Sequence, residues 1–190
     1  MSSSESTMPE TAPAAPRTAA ALLVPALAGG LVALALGVYG KAHDGTGIGV
    51  LLAGFSTAVA AKAWMTTVAT ALGVVQVVSA LSLYGRLGRT PSWAGPVHRW
   101  SGRAAFLVAV PVAVHCLYAL GFQATDGRVL MHSLLGCLFF GAFTVKMLCL
   151  RSDRLPGWAL PVLGGVVFVL LVAVWLLSSV WFFNSNGLTT

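Results

Sequence analysis

Residues 104–120, AAFLVAVPVAVHCLYAL, and residues 129–145, VLMHSLLGCLFFGAFTV, are two strongly apolar runs joined by a short polar connection, GFQATDGR, at 121–128. Each run contains a single histidine and no charged residue. Runs of this length and apolarity read as membrane-spanning helices. Because the connection is short, the two helices are neighbours running in opposite directions. His115 lies six residues before Gly121, and His132 lies four residues after Arg128. At roughly 1.5 Å rise per residue the two imidazoles are expected at matching depth. Polar side chains at such depth are costly and mark function by default.

Working outward, the same pattern recurs along the chain of 190 residues, which is 57% hydrophobic and 8% charged. Soluble domains carry about a quarter charged residues, so the expectation is an all-α, polytopic membrane helix bundle of about five transmembrane helices in a single domain. Spans are expected at 19–39, 62–84, 97–120, 128–150 and 158–183, with a disordered Ser/Thr/Pro/Ala-rich tail at 1–18 and a short tail at 184–190. The apolar run at 48–61 is short for a span and interrupted by Gly49, Gly54 and Ser56. It reads as an interfacial or re-entrant segment, with a sixth span as the alternative. The first span exceeds the 7–15 residues of a secretory h-region, about 20 being apolar, and reads as a retained helix rather than a cleaved signal.

The net charge of +6 comes from eight arginines and three lysines at the ends of apolar runs. That distribution excludes an extended nucleic-acid face and serves as an orientation signal. One side collects Arg17, Arg86, Arg89, Arg99, Arg103, Lys146, Arg151 and Arg154, and the other Lys41, Lys62 and Arg128. The expectation is a multi-pass plasma-membrane protein with its N-terminus cytoplasmic and its C-terminus outside. Trp93, Trp100, Trp158, Trp181, Phe182 and Phe183 fall where interfacial rings are favoured. Cys116, Cys137 and Cys149 lie in apolar sequence as free thiols, and the chain has no C-x-x-C-H. Any haem is therefore non-covalent.

Two facing imidazoles inside a bilayer form a ready axial pair for a haem iron, a ligation suited to electron transfer. Gly136 and Ser133 near His132 leave room for a porphyrin, and Pro111 frees the carbonyl of Leu107 one turn before His115. The rival reading is that His115 and His132 bridge two helices in a cofactor-free scaffold or transport component. A third is a metal ion held by His43, His115 and His132. His98 and His43 are weaker candidates. His98 lies 17 residues before His115, about 25 Å along the axis, and belongs to an interface or to the edge of a second cofactor. His43 is in a loop near the outer edge of the first, where a quinol or other donor would approach. Membrane reductases with two haems place further histidines about 14 residues along each ligand helix, nearly four full turns. Those positions here hold Ser101 and Lys146, so one haem b is favoured over two, and Lys146 reads as snorkelling to the cytoplasmic surface. Gln76, Thr66, Thr67, Thr70 and Ser79 read as helix-packing groups, and Gly29-Gly30 and Gly164-Gly165 as sites of close helix approach.

The segment Val97-His98-Arg99-Trp100-Ser101-Gly102-Arg103, the helix ending at His115 and the helix from His132 through Gly136 resemble the haem-bearing core of cytochrome b561 and ferric-reductase-like transmembrane proteins. The runs Lys62-Ala63-Trp64, Tyr84-Gly85-Arg86-Leu87, His132-Ser133-Leu134-Leu135-Gly136-Cys137 and Lys146-Met147, with Gln76, resemble a group of uncharacterised actinobacterial membrane proteins. The likeness covers about 62–183. It implies a b-type haem ligated by His115 and His132 and a role in electron transfer, as an oxidoreductase or an electron-transfer subunit. It departs from the two-haem pattern at Ser101 and Lys146. With no flavin or nicotinamide domain in this sequence, the donor would be a separate redox partner or a quinol.

Overall fold

A computed structural model of the chain describes residues 15–49, 54–153 and 155–189. Among them are five helices long and apolar enough to cross a membrane, with no strand. They are α1 (Ala15–Ala42), α2 (Ala58–Leu83), α3 (Ala94–Leu120), α4 (Gly127–Cys149) and α5 (Ala159–Asn186). The protein is a multi-pass membrane bundle. Its outer faces carry Leu23, Leu27, Leu31, Leu107 and Val169, each about two-thirds exposed, which in water would be untenable and in lipid is the expected contact.

Local sequence explains where the helices begin. Thr57 is the N-cap of α2, its hydroxyl accepting from the Ala60 N–H at 3.1 Å. Asp126 is the N-cap of α4, its carboxylate accepting from the Val129 N–H at 2.9 Å. Such caps satisfy backbone donors left over at helix starts. Three observed helix bounds differ from the expected ones. α2 starts at Ala58, so the last residues of the 48–61 run are its first turn, while 45–49 is irregular and 50–53 lies outside the described residues. Ala15–Thr18 of the expected tail belongs to α1, with 1–14 outside the described residues, and α5 runs on to Asn186.

Two helices change pitch on the way. α3 turns π-helical over His115–Leu120, and α5 does so over Leu176–Val180 before resuming as an α-helix at Trp181. The first follows four residues after Pro111, which supplies no N–H to the helical ladder. The carbonyls left open at its end are taken by the α1–α2 connection: Thr46 N–H donates to Tyr118 and Gly47 N–H to Ala119, at 3.3 and 3.0 Å. Gly121, at φ +72°, then reverses the chain so that Phe122 N–H reaches the Gly40 carbonyl at 2.6 Å. A left-handed turn this close to another backbone needs glycine.

Around the bundle the close neighbours run α3, α2, α5, α4, α1, with α1 meeting the π-helical end of α3 to close the ring. The α1–α4 seam brings two backbones into close approach. A Cβ at Gly29 would stand 2.5 Å from the Gly141 carbonyl oxygen, and one at Gly141 would stand 2.6 Å from that of Gly29. Of the expected close-approach glycines, Gly30, Gly164 and Gly165 face open space instead. α3 and α4, adjacent in sequence, have no such backbone contact, although Phe106 stacks on Phe143 at 4.4 Å between ring centroids. The short connection makes α3 and α4 consecutive in the chain, yet it is α2, with α1 at the π-helical end, that packs beside α3.

Candidate functional site: a cavity walled by five helices

The space between α3 and α4 is a cavity of about 270 Å³ with walls drawn from all five helices. This approaches the roughly 300–1,000 Å³ of typical small-molecule sites. The α3 wall is Ala109, Val112, Ala113, Cys116, Leu117 and Leu120, the spacing of one helical face. The α4 wall is Arg128, Val129, His132, Ser133, Gly136, Cys137, Phe139 and Phe140. α2 adds Lys62, Thr66 and Ala69, and α5 adds Leu171, Val174, Ser178 and Trp181. The wall is apolar except for Lys62, Thr66, Gln123, Arg128, His132, Ser133 and Ser178, which gather toward one end.

Two opposed features build this space. Small residues, Ala63, Ala69, Ala109, Ala113 and Gly136, withhold volume, and a Cβ at Gly136 would meet nothing within 4 Å. Large rings close the ends. Ala60, Ala63 and Phe182 pack with Phe55 and Phe183 at one end, and Ala69, Phe139 and Leu171 at the other. A shallower depression of about 430 Å³ between α1, α3 and α4 shares Leu36 and Phe140 with the cavity wall.

The four histidines part company. His132 stands on the wall, and its ring meets the Val174 backbone carbonyl. Its Nδ1 is buried without a hydrogen-bond partner. Ser179 Oγ, in the π-helical turn of α5, is the other buried side-chain atom in that state among the described residues. His115 is 5% exposed but is not part of the wall. Its neighbour Cys116 is, and one residue is about 100° of helical rotation. The His115 ring lies by Gly49, where a Cβ would stand 3.9 Å from Cε1. Lys62 is within electrostatic range of both rings.

His43 is sandwiched between Tyr39 and Tyr118, each at 5.2 Å between centroids, and its Nε2 is 3.1 Å from the Tyr118 carbonyl. It latches α1 to α3. Among the described residues no three His, Cys, Asp or Glu side chains converge, so His43, His115 and His132 do not form a metal site. His98 is at the opposite end, its Nδ1 3.0 Å from the Ser79 hydroxyl and its carbonyl accepting from the Gln76 amide. Gln76 also donates to Ser101 Oγ at 2.7 Å. One of the two positions where a second haem would need ligands, Ser101, is thus part of an α2–α3 hydrogen-bonded seam. Lys146, the other, is partly buried within electrostatic range of His98.

Sequence reasoning passed over Lys62 and Arg128, reading them as orientation charges. Arg128 Nη1 donates to the Leu177 carbonyl at 2.8 Å, and its guanidinium lies 3.9 Å from the Trp181 ring centroid. Both residues follow loops on the side of the chain where His115 and His132 lie, and that coincidence was the available signal.

Comparison with known proteins finds no match among curated proteins and none among solved structures. A family model matches residues 22–190, from the second turn of α1 to the end of the chain, and on that basis the chain belongs to DUF6529, a family of unknown function.

Proposed function

We propose that this protein is a b-type cytochrome-like membrane protein that holds one haem non-covalently in the five-helix cavity and takes part in electron transfer. The observation that carries the reading is His132 Nδ1. It is a buried imidazole nitrogen with no partner, on the wall of an apolar cavity. An unpaired polar atom in such a place is costly, and a metal bond would satisfy it. Bound haem would supply a one-electron couple. The residues present fit one axial position, and Val174 would orient the ring as carbonyl partners of metal-bound histidines do.

His115 is the proposed second ligand, from the helix across the cavity. Its place about 100° off the α3 wall makes the coordination state a sharper readout than haem content. Proposed orientation follows the basic residues, with the cavity end toward the outside, where a quinol or a separate redox protein would deliver or collect electrons.

The test is a reduced-minus-oxidised visible spectrum with a pyridine haemochrome assay on detergent-purified protein. About one b-type haem per chain is expected, with His132→Ala losing most of it. His115→Ala is expected to change a low-spin spectrum to a high-spin one. A colourless protein from cells supplied with haem, or full haem content in both variants, defeats the proposal. In that case His132 joins His98 as a helix-packing residue, in a scaffold or transport component without a cofactor.

A further inference from the structure

The charge of the cavity is a separate matter from its histidine. Lys62 and Arg128 both stand on its wall, and no Asp or Glu does. The five acidic residues of the chain, Glu5, Glu10, Asp44, Asp126 and Asp153, all fall outside the spans. Asp126 is occupied in capping α4.

Placement adds to the imbalance. Arg128 is the second residue of α4 and Lys62 the fifth of α2, so both cations sit near helix N-termini. Each N-terminus carries roughly half a positive charge of its own, and cations there are disfavoured. Two side chains and two helix ends therefore direct positive potential at the same end of an apolar space. Arg128 is held in place by the Leu177 carbonyl and the Trp181 ring, and spends on that carbonyl one of its five N–H donors. Both lie in the first turns of helices that begin on the same side of the chain, and both line the cavity.

We infer that Lys62 and Arg128 form a carboxylate clamp, and that the cavity takes an amphiphile with an apolar body and one or two carboxylates. In its haem form this rests on the function proposed above, the two propionates meeting the two cations. A long-chain fatty acid offers the same chemistry from another source. The apolar body would lie along Ala69, Ala113, Gly136 and Phe140, away from the cations.

Iron-free protoporphyrin IX separates the clamp from iron ligation. Purified full-length protein in detergent is titrated with protoporphyrin IX and with its dimethyl ester, followed by porphyrin fluorescence. The free acid is expected to bind at least about tenfold more tightly than the ester, the worth of one charge-assisted hydrogen bond. Lys62→Met should erase most of that preference and Lys62→Arg should keep it, with thermal melting confirming that each variant is folded. A second titration compares oleate with methyl oleate. If porphyrins fail to bind but oleate is preferred over its ester, and Lys62→Met removes the preference, the clamp stands and the haem reading falls. If neither acid outbinds its ester, the clamp is overturned, even where wild-type protein binds haem through His132.

Discussion

The two ends of this bundle are built by opposite means. From the basic end to mid-helix, helices meet through hydrogen bonds and backbone contact: Gln76, Ser79, His98 and Ser101 between α2 and α3, and Gly29 against Gly141 in the α1–α4 seam. At the other end, two helices turn π-helical, small residues line the interior, and an imidazole nitrogen is left without a partner. Polar groups at the first end are consumed by packing. Those at the second face a space. π-Helical turns frequently accompany functional sites, and here both flank the cavity, contributing Cys116, Leu117, Leu120 and Ser178 to its wall. The same residue type therefore has different surroundings at the two ends: His98 is hydrogen-bonded into a helix seam, and His132 stands on the cavity wall with a buried nitrogen that has no hydrogen-bond partner.

Mutations can break this contrast, and the largest stability effect is expected in the seam. Gly29→Val puts side-chain atoms onto the Gly141 carbonyl and Val145, and overpacking of this kind costs about 1–3 kcal/mol. Thermal melting of detergent-solubilised protein should drop by several degrees, and an unchanged midpoint would show that the α1–α4 contact is not closed in the membrane protein. Gln76→Leu is next. It removes the donor to Ser101 and to the His98 carbonyl, and interhelical hydrogen bonds in membranes average about 0.6 kcal/mol with a maximum near 1.7. A loss of about 1 kcal/mol is expected in a reversible unfolding assay, with haem content unaltered. A drop in haem would instead tie the two ends together.

Gly136→Ala is expected to be the mildest, within about 0.5 kcal/mol of wild type, because a Cβ there meets open space. Gly136→Phe fills the same space and should cut ligand binding while the protein stays folded. Destabilisation by the alanine would mean that α3 and α4 close up in the membrane and that the cavity is not maintained.

Much of the molecule is legible in the sequence alone. Apolar runs separated by Gly, Pro and charge announced five helices, because a bilayer lets a spanning segment satisfy its backbone in few other ways. Boundaries moved where a capping side chain decided them, as at Thr57 and Asp126. The 48–61 run was ambiguous since length alone cannot tell a short span from a connection running into a helix. The rotation of His115 was not legible, because a lone histidine in a uniformly apolar run has no periodicity to fix its face, and only the packed helix puts Cys116 on the cavity wall with His115 beside it.

The sequence by itself determined that this is a multi-pass helical membrane protein, how many helices it has, and which ends of the apolar runs collect basic residues. All of these depend on composition and on the fixed geometry of a single helix. Only the tertiary structure decided which helices touch, and with that the rest. α3 and α4, neighbours in sequence, stand on opposite sides of a cavity because α1 closes on α4 through a glycine contact and α2 closes on α3 through hydrogen bonds. The partners of Lys62, Arg128 and His132 follow from that arrangement, since a side chain's surroundings are set by helices distant in sequence.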